Sequence, residues 1–127
     1  MTVSPNAVGT AVLKCAMKVH TSLGPGLLES VYELCLAHEL SKSGMRALRQ
    51  TGLPVTYDGM EIEGGFRADI VVEGLVILEV KVVDKLLPVH HSQLLTYLKL
   101  SGLKLGYLLN FNVSHLREGI RRVVNGL

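Results

Sequence analysis

Three charged residues interrupt two apolar, strand-like runs, and two of them are carboxylates, which could hold a metal ion. Glu79 and Lys81 lie in the run 75–83, and Asp69 lies in the preceding run, 66–72. A charged side chain in a buried strand loses much hydration unless it is paired. Three interpretations stay open: a buried ion pair between Glu79 and Lys81, a strand face that is more exposed than its apolar pattern suggests, or a working site that both carboxylates share.

The turn between the two runs decides whether the carboxylates meet. A one-residue change of register moves every side chain to the other face of a sheet, so a two-residue loop would turn Glu79 away from Asp69. A three-residue loop, residues 73–75, with its glycine in the left-handed conformation, would pair Asp69 with Glu79. The same register would pair Arg67 with Lys81.

Two opposed carboxylates favour a divalent cation. At a separation of about 5 Å they repel by roughly 1 to 3 kcal/mol across effective dielectrics between water and a protein surface. A cation would relieve that repulsion. An oxygen-only ligand set favours a hard ion, Mg²⁺ or Mn²⁺, over zinc.

Periodicity and turn residues predict an α/β (α+β) fold with elements in the order ααβββαβα. The third predicted strand is apolar on both faces, apart from its two charges, which is typical of a central strand covered on both sides. The predicted elements are helices over about 5–22 and 28–43, strands over 53–57, 66–72 and 75–83, a helix over 88–101, a strand over 104–111 and a helix over 114–125.

Composition indicates one folded domain over residues 1–127. The chain is 48% hydrophobic, with 13 basic and 11 acidic side chains, so it can bury enough apolar surface to fold. A net charge of +2 is too small for unselective coating of nucleic acid, so any phosphate contact needs a local patch. No apolar stretch is long enough to span a bilayer and no leader pattern opens the chain, so we expect a cytoplasmic protein with no membrane partner.

Five segments occur in the order shown by a known family. They are Gly26 to Tyr32 (GxxExxY), Phe66-Arg67-Ala68-Asp69, Glu79-Val80-Lys81, His90 to Leu98, and Gly106 to Phe111. Over residues 8–124 the chain therefore resembles the GxxExxY proteins, a branch of the PD-(D/E)XK nuclease superfamily. One departure is Ala68, which stands where the superfamily's name has proline and leaves the acidic residue after it intact.

The resemblance implies a restriction-endonuclease-like core, with a mixed central sheet of about four strands flanked by helices. It also implies an Mg²⁺- or Mn²⁺-dependent nuclease, a phosphodiester hydrolase acting on DNA or RNA. The residues implied in catalysis are Asp69, Glu79, Lys81, Gln93 and Tyr97. Those implied in metal binding are Glu29, Asp69, Glu79 and the carbonyl of Val80. Those implied in substrate binding are Arg67 and Tyr32.

Several of these residues have a plainer interpretation. Glu29 could be a carboxylate favoured by the dipole of a helix N-terminus, Tyr32 a packing residue and Gln93 a surface residue. Arg67 could contact phosphate or pair with an acidic neighbour, Glu63 or Glu79.

Alternatives to an enzyme also stay open. They are a non-catalytic module that binds nucleic acid or protein, and a structural dimer with a buried ion-pair network. With no room for a recognition domain, a nuclease of this size is expected to rely on a homodimer, a protein partner or substrate structure.

Overall fold

The computed structural model describes residues 3–127, which form three helices, a 3₁₀ turn and five strands. In chain order these are α1 (Pro5–Leu23), α2 (Glu29–Lys42), β1 (Ala47–Tyr57), β2 (Met60–Val72), β3 (Val76–Lys81), α3 (Pro88–Ser101), β4 (Leu105–Asn110), the 3₁₀ turn (Leu116–Gly119) and β5 (Ile120–Val124).

The opening helix follows its sequence signals closely. The Ser4 hydroxyl accepts a hydrogen bond from the backbone N–H of Ala7 at 3.1 Å, and Pro5 occupies the first turn, where its missing N–H has no cost. Val8, Val12 and their neighbours one turn apart are buried. The helix therefore begins where its capping residues predict and lays one apolar stripe on the core.

The five strands form one mixed sheet in the order β1-β2-β3-β4-β5. All neighbouring pairs are antiparallel except β3 and β4, which are parallel and are connected through α3. Parallel neighbours need such a crossover. The mixed α/β architecture expected from the sequence is confirmed.

Helices cover both faces of the sheet. On one face α1 and α2 pack against Val76, Leu78 and Val80 of β3, while on the other α3 packs against Ile77. The central position predicted for the third strand is therefore correct. None of the helices formed by residues 3–127 is both long and apolar enough to cross a membrane.

The end of the chain differs from its prediction. The expected helix over 114–125 is wrong: this segment forms the short 3₁₀ turn and then β5, which pairs with β4 from Leu105↔Val124 to Leu109↔Ile120. The β-branched residues of β5 fit a strand, and pairing satisfies backbone groups along β4 that a helix would leave open. The sheet therefore has five strands instead of about four.

The first hairpin is longer than expected. β1 and β2 extend well beyond the predicted runs 53–57 and 66–72 and pair from Ala47↔Val72 to Tyr57↔Met60. The last pair closes a two-residue turn in which Asp58 and Gly59 both have positive φ.

Candidate active site

The loop between β2 and β3 has three residues, as the pairing of the two charged positions requires. Val72 pairs with Val76, so residues 73–75 form the turn, and Gly74 has a φ of 62°. The ladder continues to Ile70↔Leu78, and the next position in this register places Asp69 opposite Glu79. The prediction of the three-residue register is confirmed.

At Asp69 and Glu79, side chains replace the backbone ladder. The backbone N–H of Asp69 donates to Oε2 of Glu79 at 2.9 Å, and the backbone N–H of Val80 donates to Oδ2 of Asp69 at 2.9 Å. The β2–β3 ladder ends before this point, so the predicted pair of Arg67 and Lys81 does not form. The two strands separate here, and each carboxylate sits in the gap against the other strand.

Both acids of the pair resist ionisation. Glu79 is only 5% exposed; burial, assisted by the charge of Asp69, raises its pKa to about 8. Burial also raises the pKa of Asp69, with the Val80 amide acting in the opposite direction. Two carboxylates that are costly to ionise together in a partly buried gap are the arrangement that a cation would stabilise.

Lys81 lies at the end of β3, half-buried, two residues after Glu79. Its backbone is held by β4, since its carbonyl accepts a hydrogen bond from Phe111 N–H at 3.0 Å. Within residues 3–127 the ion pairs are Lys18–Glu39, Lys42–Glu39 and Arg49–Glu33, so Lys81 is in none of them. The interpretation of Glu79 and Lys81 as a buried ion pair is therefore wrong, although the positive charge of Lys81 lowers the pKa of both Glu79 and Asp69.

Glu29 approaches the pair from the first turn of α2. Partial burial and then the charge of Asp69 raise its pKa, while the charge of Lys81 opposes them. Its place at a helix N-terminus also matches the dipole interpretation. No cluster of three or more His, Cys, Asp or Glu side chains in the described part of the chain is arranged to hold a metal, so Glu29 is not preassembled with Asp69 and Glu79 as a ligand set.

The backbone of Val80 adds an oxygen to the gap. In an antiparallel pair one residue uses both its N–H and its C=O toward the same neighbour. Because the N–H of Val80 faces Asp69, its carbonyl faces the same separated edge. Two carboxylates and a carbonyl form an oxygen donor set, which suits Mg²⁺ or Mn²⁺.

Helix α3 brings Gln93 and Tyr97 to the same region. Tyr97 is half-buried and its ring stacks on Phe66 with centroids 4.4 Å apart. Burial raises the pKa of Tyr97, and the charges of Glu79 and Asp69 add to the effect. The exposed Gln93 side chain acts on this pKa in the opposite direction. Gln93 lies four residues before Tyr97, so the two residues share one face of α3.

Tyr32 does not contribute to the site, which corrects its expected contact with substrate. Its side chain is fully buried and stacks on Phe111 with centroids 4.6 Å apart. Its hydroxyl donates to the carbonyl of Gly24 at 2.6 Å and accepts from the N–H of Leu27 at 3.1 Å. The tyrosine of the GxxExxY motif therefore shapes the loop that leads into α2.

Arg67 lies on β2, exposed, and no ion pair within the described ranges joins it to Glu63 or Glu79. The alternative that Arg67 pairs with Glu63 or Glu79 is therefore wrong. A phosphate contact stays a prediction.

Sequence reasoning missed two polar residues beside the acids, Glu33 and Gln50. Glu33 is 4% exposed and accepts hydrogen bonds from Nη2 of Arg49 at 2.6 Å and from Nε2 of Gln50 at 2.8 Å. Its charge raises the pKa of both Glu29 and Asp69. The spacing of four between Glu29 and Glu33 was a usable signal, because it puts both on one helix face. No sequence pattern marked Gln50.

The architecture and the opposed acids followed by a lysine define a nuclease-like α/β domain. A family model described as the PD-(D/E)XK nuclease superfamily matches residues 6–123. The chain therefore belongs to the PD-(D/E)XK nuclease superfamily. No curated protein and no solved structure matches it.

Proposed function

We propose that this protein is a metal-dependent nuclease, a phosphodiester hydrolase that uses Mg²⁺ or Mn²⁺ to cleave DNA or RNA, and that it belongs to the GxxExxY branch of its superfamily. The observation that carries the proposal is the opposed pair of Asp69 and Glu79 in the β2–β3 gap, with Lys81 two residues beyond. Three costly charges gathered at one point have no role in the packing of the core.

The oxygen donors in the gap fit the expected ion. Asp69 and Glu79 would hold it, the carbonyl of Val80 would add a third ligand, and Glu29 would complete the acidic cluster. When bound, the ion supplies electrostatic stabilisation to the phosphate and to the attacking water. The raised pKa of Glu79 supports this fit, because a positive charge in the gap would stabilise both carboxylates.

Lys81 acts on the reacting groups. Its ammonium orients the attacking water or, by its positive charge, makes the loss of the water's proton to solvent easier, and it offsets the negative charge that grows on the phosphate in the transition state. The absence of an ion-pair partner for Lys81 within residues 3–127 supports this role, because a competing carboxylate contact would first have to break.

Gln93 and Tyr97 border the reaction from α3. The Tyr97 hydroxyl and the Gln93 amide can donate hydrogen bonds to a water or to a phosphate oxygen. Arg67, exposed on β2, contacts a phosphate further along the nucleic acid. In this proposal the protein acts in the cytoplasm, without a membrane partner, and uses a second copy or a protein partner to select its substrate.

A second candidate is a non-catalytic module that keeps the nuclease fold and binds nucleic acid or protein. One observation favours it: the acids of residues 3–127 include no preassembled group of three that could hold a metal. The two candidates differ in turnover and not in binding.

A cleavage assay separates the candidates. Wild type and Asp69→Asn are incubated with single-stranded, duplex and branched DNA and RNA in Mg²⁺ or Mn²⁺, with EDTA as a blank. The proposal expects metal-dependent cleavage of at least one substrate by wild type and none by Asp69→Asn. Binding of a substrate without any wild-type cleavage would support the second candidate instead.

A further inference from the structure

A pocket with basic side chains in its walls lies between α3 and β5. Its volume of about 380 Å³ is within the range of small-molecule sites. No acidic side chain of residues 3–127 lines it, and none of the residues assigned to the candidate active site does. Its charge therefore suits an anion. We call it the basic pocket and define it by Lys85, Leu86, His91, Leu108 and Arg121.

Backbone carbonyls hold the side chain of Arg121 in place. Its Nη1 donates to the carbonyl of Glu118 at 3.1 Å and to that of Ile120 at 2.9 Å. A guanidinium has five N–H donors in a fixed fork, so Nε and Nη2 remain for a ligand. Such a pair of donors matches the oxygens of a phosphate, and a side chain fixed in advance loses less freedom when it binds.

The segment after β3 brings Lys85 to the same pocket. Buried Asn110 fixes this segment, because its Nδ2 donates to the carbonyl of Val83 at 2.9 Å and its Oδ1 accepts from the N–H of Val83 at 3.1 Å. His91 comes from the first turn of α3. No ion pair within the described residues involves Lys85, His91 or Arg121, so no carboxylate competes for them.

The basic pocket lies on the same face of the sheet as Glu79. Leu108 and Ile77 belong to one apolar cluster beneath α3, and Glu79, two residues after Ile77, shares their face. Glu79 is paired with Leu108, and Leu108 with Arg121. Two strand spacings separate the ends of this row, which is about 10 Å. Because a strand of nucleic acid carries a phosphate about every 3.4 Å along its axis, one strand can reach both places.

We propose that the basic pocket is a phosphate-binding subsite, in which Lys85, His91 and Arg121 hold the phosphate of a nucleotide whose strand continues to the acids of the β2–β3 gap. The continuation of the strand rests on the proposed function, whereas the affinity of the pocket for a nucleotide phosphate does not. A chain with a net charge of only +2 needs a local patch of this kind to bind nucleic acid.

Arg121→Met tests the subsite, and Arg122→Met is its matched control. Both arginines are exposed on β5 and each change removes one positive charge, but Arg122 lies opposite Tyr107, on the other face of the sheet. Two quantities are measured in EDTA, which removes divalent metal. Fluorescence anisotropy gives the affinity for short, labelled single-stranded and duplex DNA and RNA over a series of salt concentrations. NMR follows the ring signals of His91 while thymidine monophosphate is added.

We expect Arg121→Met to weaken nucleic acid binding by about tenfold or more. The salt dependence of the binding constant, as a log–log slope, should fall in magnitude by about 0.7 on a single strand or 0.9 on a duplex, the value for one phosphate contact. Arg122→Met should change both quantities less. Thymidine monophosphate should shift the His91 signals in wild type and in Arg122→Met, and much less in Arg121→Met. Equal effects of the two variants on nucleic acid binding would overturn the placement on a strand and, together with no shift of His91, the subsite itself.

The results separate this proposal from the proposed function. If wild type neither binds nor cleaves nucleic acid, the nuclease function fails, and the His91 shift alone decides whether the pocket takes a nucleotide phosphate. If wild type cleaves while Arg121→Met matches it in affinity and in the His91 shift, the nuclease function stands and the subsite is overturned. If Arg121→Met does not fold, Lys85→Met removes a charge from the loop after β3, and wild-type affinity and a wild-type His91 shift in that variant would overturn the proposal.

Discussion

Asp69 and Glu79 face each other across β2 and β3, where the backbone N–H of Asp69 donates to the Glu79 carboxylate and the Asp69 carboxylate accepts from Val80. Each acid therefore does the work of a missing ladder hydrogen bond. The same exchange keeps two carboxylates in a partly buried gap where their charges repel.

Divalent metal should stabilise the protein through Asp69. A ligand that binds only the native state at ten times its Kd contributes about 1.4 kcal/mol, so Mn²⁺ should raise the melting temperature by about 4 to 7 °C. Asp69→Asn should abolish the rise and, without metal, should be no less stable, because asparagine still offers an acceptor to Val80 and one repelling charge is gone.

Asp58→Asn is the matched control for that shift, since Asp58 lies exposed in the β1–β2 turn, where its positive φ suits asparagine. It should keep the full metal response in differential scanning fluorimetry. Equal responses of wild type and Asp69→Asn would indicate unspecific ion effects.

Stability without metal should depend on pH through Glu79. Its pKa is raised from 4.5 to about 8 in the folded protein, so the folded state holds the proton more tightly than the unfolded chain. The contribution of Glu79 is therefore fully present below about pH 4.5 and is lost as pH rises through 8. Glu79→Gln should flatten the decline of the unfolding free energy between pH 5 and pH 9, measured by urea unfolding in EDTA. An unchanged dependence of the unfolding free energy on pH would contradict the raised pKa of Glu79.

Lys81→Met should separate binding from chemistry. The variant should keep its fold, metal binding and most nucleic acid affinity, measured in Ca²⁺ to suppress turnover, and should lose at least about a hundredfold in cleavage rate. Lys14→Met, a matched change at an exposed position of α1, should cleave normally. Cleavage by Lys81→Met at the wild-type rate would remove Lys81 from the mechanism.

Gly119→Ala should destabilise the end of the sheet. An added Cβ would overlap the backbone carbonyl of Asn110, so the unfolding free energy should fall by about 1 to 3 kcal/mol. Gly52→Ala is the control, because its nearest neighbour would lie 3.9 Å away. Equal unfolding curves for the two variants in urea would mean that β5 does not need this close approach.

Local signals in the sequence were enough to predict the hairpin at Gly74 and hence the meeting of Asp69 and Glu79. Only two register choices existed, and a glycine next to Glu73 favoured the three-residue loop. The same reasoning failed for Arg67 and Lys81, because nothing local says that the carboxylates themselves end the ladder.

Tertiary context decided the other differences. Ser114 is a helix-capping residue and favours a helix over 114–125. The segment instead forms β5, because pairing with the otherwise unpaired edge of β4 satisfies the backbone groups of both strands. Tyr32 matches a motif position, but its buried hydroxyl already donates one hydrogen bond and accepts another within the protein, so it is not available to a substrate. Gln50 comes to lie opposite Asp69 only through the pairing of β1 with β2, which joins residues far apart in the chain.

A crystal of the wild-type protein soaked in Mn²⁺, measured at a wavelength that reveals manganese by anomalous scattering, tests the central claim most directly. The account predicts an anomalous peak in the β2–β3 gap, coordinated by carboxylate oxygens of both Asp69 and Glu79. An empty gap in a crystal that binds manganese elsewhere, or a peak that touches neither carboxylate, would contradict it.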